Sequence, residues 1–343
     1  MKTVTKLNIN QIAQKAKVSV ATVSRVINGA DCVKPETRER VLKIIKEYDY
    51  VPNSSAQNLS KSSSQSIGVI LSDLENPFFQ RVLRGVTRVA DEKGYNILIY
   101  NTDEQIEKEH RILRSAKGAD LAGIIVCPVV YSDPEANDIL KTFERKNIPV
   151  VLIDRSIEES DFNQVLVDNE KGAYEAVSAL IKAGHRKIGF LKGDSNIYPI
   201  REREHGYLRA LKENHITYRR EYVISCDQKI EIAYQQMSAL MEQSDPPTAI
   251  FTSNNMMTLG CVRYLIQKKY HIGKNISVIG FDDIELFEML GMPISAVIRS
   301  EEQMGEAAME MILKRLKDGI TAHECLIIPS HLVLRGSEKC ENL

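Results

Sequence analysis

The sequence predicts an α/β protein: an N-terminal helix-turn-helix headpiece followed by a two-lobed core of two doubly wound parallel sheets. Three observations predict it. Residues 8–29 carry two short amphipathic helical patterns separated by Lys17-Val18-Ser19. From Ile67 onward, apolar strand-like runs alternate with helical stretches in two successive series. Charge is also divided along the chain: residues 1–61 hold 11 Lys and Arg against 5 Asp and Glu, and the remainder 34 against 41. A basic head on an acidic body suits a head that meets a polyanion.

The first helix begins at Asn8, where Gln11 three residues on completes a capping box, and Ile9, Ile12, Ala13 and Ala16 form its buried stripe. Ser19 is the N-cap of the second helix, which shows an apolar stripe at Val20, Val23 and Ile27. Its other face holds Ala21, Thr22, Ser24, Arg25 and Asn28, short enough to approach the floor of a DNA major groove. Gly29 stops it. Pro35 opens a third helix with Glu36 in its first turn and Val41, Ile44, Ile45 and Tyr48 on its inner face.

Ser54–Gln65 follows. Its AQNL segment suits about two helical turns, too few to be stable alone, and the serine run after it reads as a linker. The core then supplies IGVIL (67–71), NILIY (96–100), GIIVC (123–127) and VVLID (150–154). After a break come KIGFL (187–191), AIFTS (249–253) and ISVIGF (276–281). Stretches such as 79–94 and 169–185 fit crossover helices, so the strands run parallel. Two such lobes form a cleft at the carboxyl ends of their strands.

Asn8 to Gly29 resembles the DNA-binding headpiece of the lac repressor (LacI/GalR) family of bacterial transcriptional regulators. LSDLENPFF (71–79), LVDNEKGAY (166–174), AGHRKIGFL (183–191), TSNNMMTLG (252–260), VIGFDD (278–283) and LVLRGS (332–337) are similar to that family's periplasmic-binding-protein-like core. The resemblance implies a headpiece over 1–50, a hinge helix and linker over 51–65, a core over 66–337 and a tail over 338–343. It also implies three crossings between the lobes, near 160–164, 288–294 and 321–325. The lobes are then roughly 66–161 plus 293–322, and 163–290 plus 324–337. It further implies a hinge helix that orders on operator DNA, with Leu59 as the leucine wedged into the minor groove.

By the resemblance, Val20, Ala21 and Arg25 match the family's main base-reading positions. Arg25 can bond bidentately to guanine O6 and N7, while Val20 and Ala21 offer apolar contact. Ser19, Thr22, Ser24 and Asn28 read as phosphate contacts, and Asn8 adds the start of the first helix. In the cleft the candidates stand at strand ends and helix starts: Asn76, Phe78, Phe79, Asp154, Arg203, Asn254 and Asp282. The family pattern favours Arg203 and Asp282, a pair able to clamp neighbouring sugar hydroxyls. Phe78 and Phe79 each suit either a stacking surface or the core, and Asn76 either a ligand contact or a helix cap. Asn255 stands where the family often has Asp, and Gln228 where an aromatic often lines the cleft. Arg155 and Arg299 also fall near the cleft and, with Arg203, suggest an acidic or phosphorylated sugar, unless either arginine pairs with Asp or Glu or points to solvent.

The expected partners are operator double-stranded DNA, a small-molecule effector (sugar or sugar acid) and a second copy of the chain, since one headpiece reads only a few base pairs. The SEKCENL end carries no leucine heptad, so no tetramerising tail is expected. No run approaches the roughly 20 apolar residues of a membrane span, and MKTVTKLNIN has no apolar signal core. A cytoplasmic protein is therefore expected. The six cysteines form no C-x-x-C pair and the histidines no H-E-x-x-H, so neither metal nor cofactor is expected. Two rival classes are a transport sugar-binding protein, against which the basic head argues, and a nucleotide-dependent enzyme. For the enzyme, no strand leads into G-x-G-x-x-G and no G-x-x-x-x-G-K-[ST] exists. No catalytic residue is expected.

Overall fold

The computed structural model of the protein describes residues 7–27, 30, 32–50, 64–227, 229–319 and 322–340. Asn28, Gly29, Leu59, Gln228 and most of the 51–65 segment lie outside the described residues. The chain divides into two units, residues 1–64 and 65–343.

The first unit packs α1 (Ile9–Ala16), α2 (Val20–Ile27) and α3 (Pro35–Glu47). The capping box is present: Gln11 N–H donates to Asn8 Oδ1 at 3.0 Å and Asn8 N–H to Gln11 Oε1 at 2.8 Å. The chain reverses after α1 at Lys17, whose φ of 51° is left-handed. Ile12, Ala13, Ala16, Val23, Val26 and Val41 form the core. The stripe of α2 differs from the expected one. Val26 is buried, whereas Val20, at the open first turn of the helix, is 38% exposed.

The second unit holds two six-stranded sheets. β1 (Ser66–Leu71), β2 (Asn96–Asn101), β3 (Gly123–Val126), β4 (Val150–Ile153) and β5 (Asn163–Val167) enter the first. β6 (Ile188–Lys192), β7 (Val223–Ser225), β8 (Ala249–Thr252), β9 (Ser277–Phe281) and β10 (Ser295–Arg299) enter the second. β11 (Cys325–Ile328) then returns to the first and β12 (Ser330–Val333) to the second. The orders are β2-β1-β3-β4-β5-β11 and β7-β6-β8-β9-β10-β12. Every pairing is parallel except β10 with β12. All seven strands expected from apolar runs are present.

Between the strands run α4 (Pro77–Lys93), α5 (Ile106–Ala116), α6 (Pro134–Glu144), α7 (Asn169–Lys182), α8 (Tyr198–Glu213), α9 (Ile230–Met241), α10 (Asn255–Gln267), α11 (Glu285–Met289) and α12 (Glu301–Asp318). α4 and α12 cross with their backbones touching. Gly85 lies against the Glu302 carbonyl and Gly305 against the Val82 carbonyl, where a methyl group would overlap either oxygen. No described helix is long and apolar enough to cross a membrane.

The lobe boundaries need correction. β5, expected to open the second lobe, pairs with β4 and β11 in the first sheet, and β10, expected in the first lobe, pairs with β9 in the second. The crossings therefore fall later than expected, at Asp168, Ser300 and Pro329. Hydrogen-bond register decides which sheet a strand joins, and no local apolar pattern encodes it. The expected tail is also attached over its described part: Ser295 Oγ donates to Glu338 Oε2 and Ser277 Oγ to the Lys339 carbonyl, both at 2.6 Å.

Candidate functional site

In the first unit, Ser19 caps α2: Thr22 N–H donates to Ser19 Oγ at 3.2 Å, and the two hydroxyls lie 2.9 Å apart. The face beyond the cap presents Val20, Ala21 and Arg25 to solvent, with Thr22 and Ser24 half-buried beside them. The Arg25 guanidinium takes part in no ion pair among the described residues. Arg38 ties the following loop back to α3 by donating to the Ala30 carbonyl at 2.5 Å. One helix thus offers a shallow polar face with a single uncommitted guanidinium, a shape that suits a major groove.

In the second unit, the carboxyl ends of both sheets meet. Strand order reverses between β1 and β3 in one sheet and between β6 and β8 in the other, which opens a crevice at each place. Asn76, Phe78, Asp154, Arg203, Asn254 and Asp282 line one common cavity, and Phe79, Arg155 and Arg299 line it too. All seven cleft residues expected from sequence are thereby brought together. The free space among them is only about 30 Å³, enough for about one water.

Arg299 fills the middle. Its Nη1 donates to Asp154 Oδ1 at 2.5 Å, Nε to Asp282 Oδ1 at 2.7 Å and Nη2 to Asp282 Oδ2 at 3.2 Å. The guanidinium also lies 4.0 Å from the centroid of Phe78. Burial works against its charge, but Asp282 and then Asp154 outweigh burial and push its pKa up. Asp154 and Asp282 both sit at positive φ, 64° and 69°, which turns the chain sharply off the ends of β4 and β9.

Arg203 is fully buried beside it. Nε donates to Asn169 Oδ1 at 2.9 Å and Nη1 to the Ser253 carbonyl at 2.5 Å, and Phe281 lies 3.5 Å beneath. Its closest carboxylate, Asp282, is 3.9 Å away, and its Nη2 has no hydrogen-bond partner among the described residues. Burial, then the neighbouring Arg299, lowers its pKa to about 9, which leaves it charged at neutral pH.

Arg155 is committed elsewhere. It grips Glu104 through two bonds of 2.7 and 2.6 Å and donates to the carbonyls of Pro128 and Val129. The expected cationic cleft is therefore corrected: three arginines face Asp154, Asp282 and Glu104, and their charges balance. Glu104 and Asn169 escaped sequence reading. Asn169 stands inside one of the quoted patches, whereas nothing local marks Glu104.

Of the two alternatives left open for Asn76, the structure shows the helix cap. Phe78 N–H donates to Asn76 Oδ1 at 3.0 Å, which makes it a helix cap, and Asn255 Nδ2 donates to the same oxygen from the other lobe at 2.8 Å. Phe78 and Phe79 are both core residues, packed edge to face at 4.9 Å, and Phe78 also faces the cleft. Asn254 caps α10 by accepting from Met257 N–H at 2.9 Å. At the opposite rim, Tyr131 N–H donates to the Asn196 carbonyl at 2.6 Å and its ring stacks on Tyr198 at 5.7 Å.

Residues 8–53 match the model for bacterial regulatory proteins of the lacI family. Residues 64–336 match that for periplasmic binding proteins and the sugar-binding domain of the LacI family. The chain belongs to the LacI family. It is 30% identical over 335 residues to the catabolite control protein A of Priestia megaterium, covering 97% of this chain and 99% of that one. It is 32% identical over 338 residues to the ribose operon repressor of Halalkalibacterium halodurans, with the same coverage of 97% and 99%. Among solved structures, a lac repressor dimer bound to operator and the anti-inducer ONPF matches with a TM-score of 0.84 at 24% identity. That match covers 98% of this chain and 100% of that one, and it shows the shared fold. As a LacI-family protein the chain is a DNA-binding transcriptional regulator. Its first unit is the helix-turn-helix part and its second the periplasmic-binding-like part.

Proposed function

We propose that this protein is a repressor that binds a palindromic operator as a homodimer and answers to a sugar or sugar derivative held between the two lobes. The observation that carries the reading is the convergence of Arg203, Asp282, Asp154 and Asn76 from the carboxyl ends of both sheets. The Nη2 of Arg203 and the Nε of Arg155 have no hydrogen-bond partner among the described residues and offer donors to ligand oxygens, while the aspartates accept from hydroxyls. Because the charges in the cleft balance, an uncharged sugar fits it better than an acidic one.

On DNA, Arg25 reads a guanine, Val20 and Ala21 meet thymine methyls, and Ser19, Thr22, Ser24, Asn28 and Asn8 set register on phosphates. Leu59 of each hinge wedges into the minor groove. Dimerisation has a physical motive in the second unit, which exposes Leu98 and Ile99 on one lobe and Leu286, Met289 and Leu290 on the other. Effector binding changes how the lobes are set, and operator affinity follows by a coupling of about 1–3 kcal/mol.

The experiment is a thermal-shift screen of the purified chain against neutral sugars, sugar acids, sugar phosphates and purines, followed by operator selection with and without any hit. A ligand at about 100 times its dissociation constant stabilises by roughly 2.7 kcal/mol. A neutral-sugar hit that alters operator affinity supports the reading. A purine hit, or a sugar hit with no effect on DNA binding, contradicts it. Leu59→Ala is expected to lose operator affinity and keep effector binding.

A further inference from the structure

One cross-lobe contact is made by a charged side chain that lines the cavity. Arg299 ends β10 in the second lobe, and Asp282 ends the neighbouring strand of that lobe. Asp154 and Phe78 belong to the first lobe. The Arg299 guanidinium therefore bonds both its own lobe and the opposite one, in space too small for any sugar.

We propose that Arg299 is an internal latch: its guanidinium holds the lobes closed by bridging Asp282 to Asp154, and it occupies the place that an effector's polar groups must take. The proposal rests on the reading of this cleft as the effector site. Three features carry it. The bridge to Asp154 is a charge-assisted hydrogen bond between buried groups, the kind that resists water best. The guanidinium face is shared with Phe78, so opening the lobes breaks a cation–π contact together with the ion pair. Arg299 stands one residue before the Ser300 crossing, so its release acts directly on a hinge segment. An effector then acts by displacement: its hydroxyls take over Asp154 and Asp282, and the arginine must leave.

Two substitutions separate the latch from simple structural support. Asp154→Asn removes the carboxylate of the first lobe while Arg299 keeps both of its bonds to Asp282, so the guanidinium itself stays paired. Asn also tolerates the left-handed backbone that Asp154 adopts. Arg299→Ala removes the guanidinium and leaves a slot that methylguanidinium fits. In the full-length chain without added sugar, amide hydrogen exchange is followed at 76–79 and 197–200, one segment from each wall of the cleft. Both variants are expected to exchange roughly tenfold or more faster there than the unaltered chain. Methylguanidinium at millimolar concentration is expected to restore protection in Arg299→Ala and to change nothing in the unaltered chain.

Unchanged exchange in a folded Asp154→Asn variant would overturn the latch. So would failure of methylguanidinium to slow exchange in a folded Arg299→Ala variant. If Arg299→Ala does not fold, Asp154→Asn decides alone. The effector reading fails separately, when no sugar shifts the melting midpoint of the unaltered chain.

Discussion

Asn255 and Asn76, 179 residues apart in sequence, join the two lobes through one hydrogen bond of 2.8 Å. The donor is fixed by its surroundings. Asn76 Oδ1 already accepts from Phe78 N–H, and Asn255 Oδ1 accepts from Met256 N–H, so only the Asn255 amide hydrogen can face Asn76. This accounts for Asn at a position where the family often has Asp, since a carboxylate would meet Asn76 oxygen to oxygen.

Asn255→Asp is accordingly expected to lower stability at neutral pH by about 1–2 kcal/mol, one buried hydrogen bond lost and one acceptor left unpaired. Urea denaturation at pH 7 measures it. An unchanged midpoint would mean that the Asn76 amide turns over at the expense of its cap.

Glu109 provides a pH dependence. Burial, opposed by the Val129 N–H and reinforced by Asp133, raises its pKa from 4.5 to about 8. One oxygen accepts from Val129 N–H at 3.2 Å and the other has no partner among the described residues, as suits a protonated carboxyl. The folded chain thus binds more protons than the unfolded one between pH 4.5 and 8. Stability from this group is complete below the lower value and lost as pH rises through the upper one. Relative to Glu109→Gln, the unaltered protein is expected to lose on the order of 2–4 kcal/mol between pH 5 and 8. Parallel stability curves for the two proteins would contradict the assignment.

The headpiece and the seven apolar strands were legible in the sequence because each is a local pattern, whereas the grouping of the cleft residues followed from the family resemblance. Val150–Ile153 is an unbroken buried run, and Asp282 stands in the VIGFDD patch. What escaped is long-range. β5 begins Asn163-Gln164 and β10 ends in Arg299, so neither reads as a purely apolar run, and only pairing assigns each to its sheet. That Arg155 pairs with Glu104 could not be chosen over a free cation, because the partner comes 51 residues earlier. Arg299 read as a wall of the cleft rather than its occupant, since only the closed fold brings Asp154 to it.

Gly305 tests how closely α4 and α12 approach. Gly305→Ala places a methyl group against the Val82 carbonyl, an oxygen of helix backbone that cannot turn aside. A loss of about 2–4 kcal/mol is expected from overpacking plus backbone displacement. Gly118→Ala, where the added methyl would meet only the Ser115 carbonyl at 3.6 Å, is the near-neutral control. Equal effects of the two substitutions would mean that the helices slide apart at little cost.

Arg25 offers the sharpest test of the DNA-reading face. It is exposed, follows the Ser19 cap by somewhat more than one helical turn, and has no ion-pair partner to lose among the described residues. Arg25→Ala is therefore expected to leave folding unchanged. If its guanidinium reads a guanine through O6 and N7, the substitution costs about 1–3 kcal/mol on the selected operator and nearly nothing on operators already altered at that base pair. If it holds a phosphate instead, all operators weaken alike and the dependence of affinity on salt becomes shallower. Binding to a panel of single-base operator variants, measured at two salt concentrations, separates the two outcomes. Arg25→Lys sharpens it further: a lysine keeps the charge for a phosphate and lacks the paired donors that a guanine edge requires. Base reading therefore predicts that Arg25→Lys behaves like Arg25→Ala, and phosphate contact that it behaves like the unaltered protein.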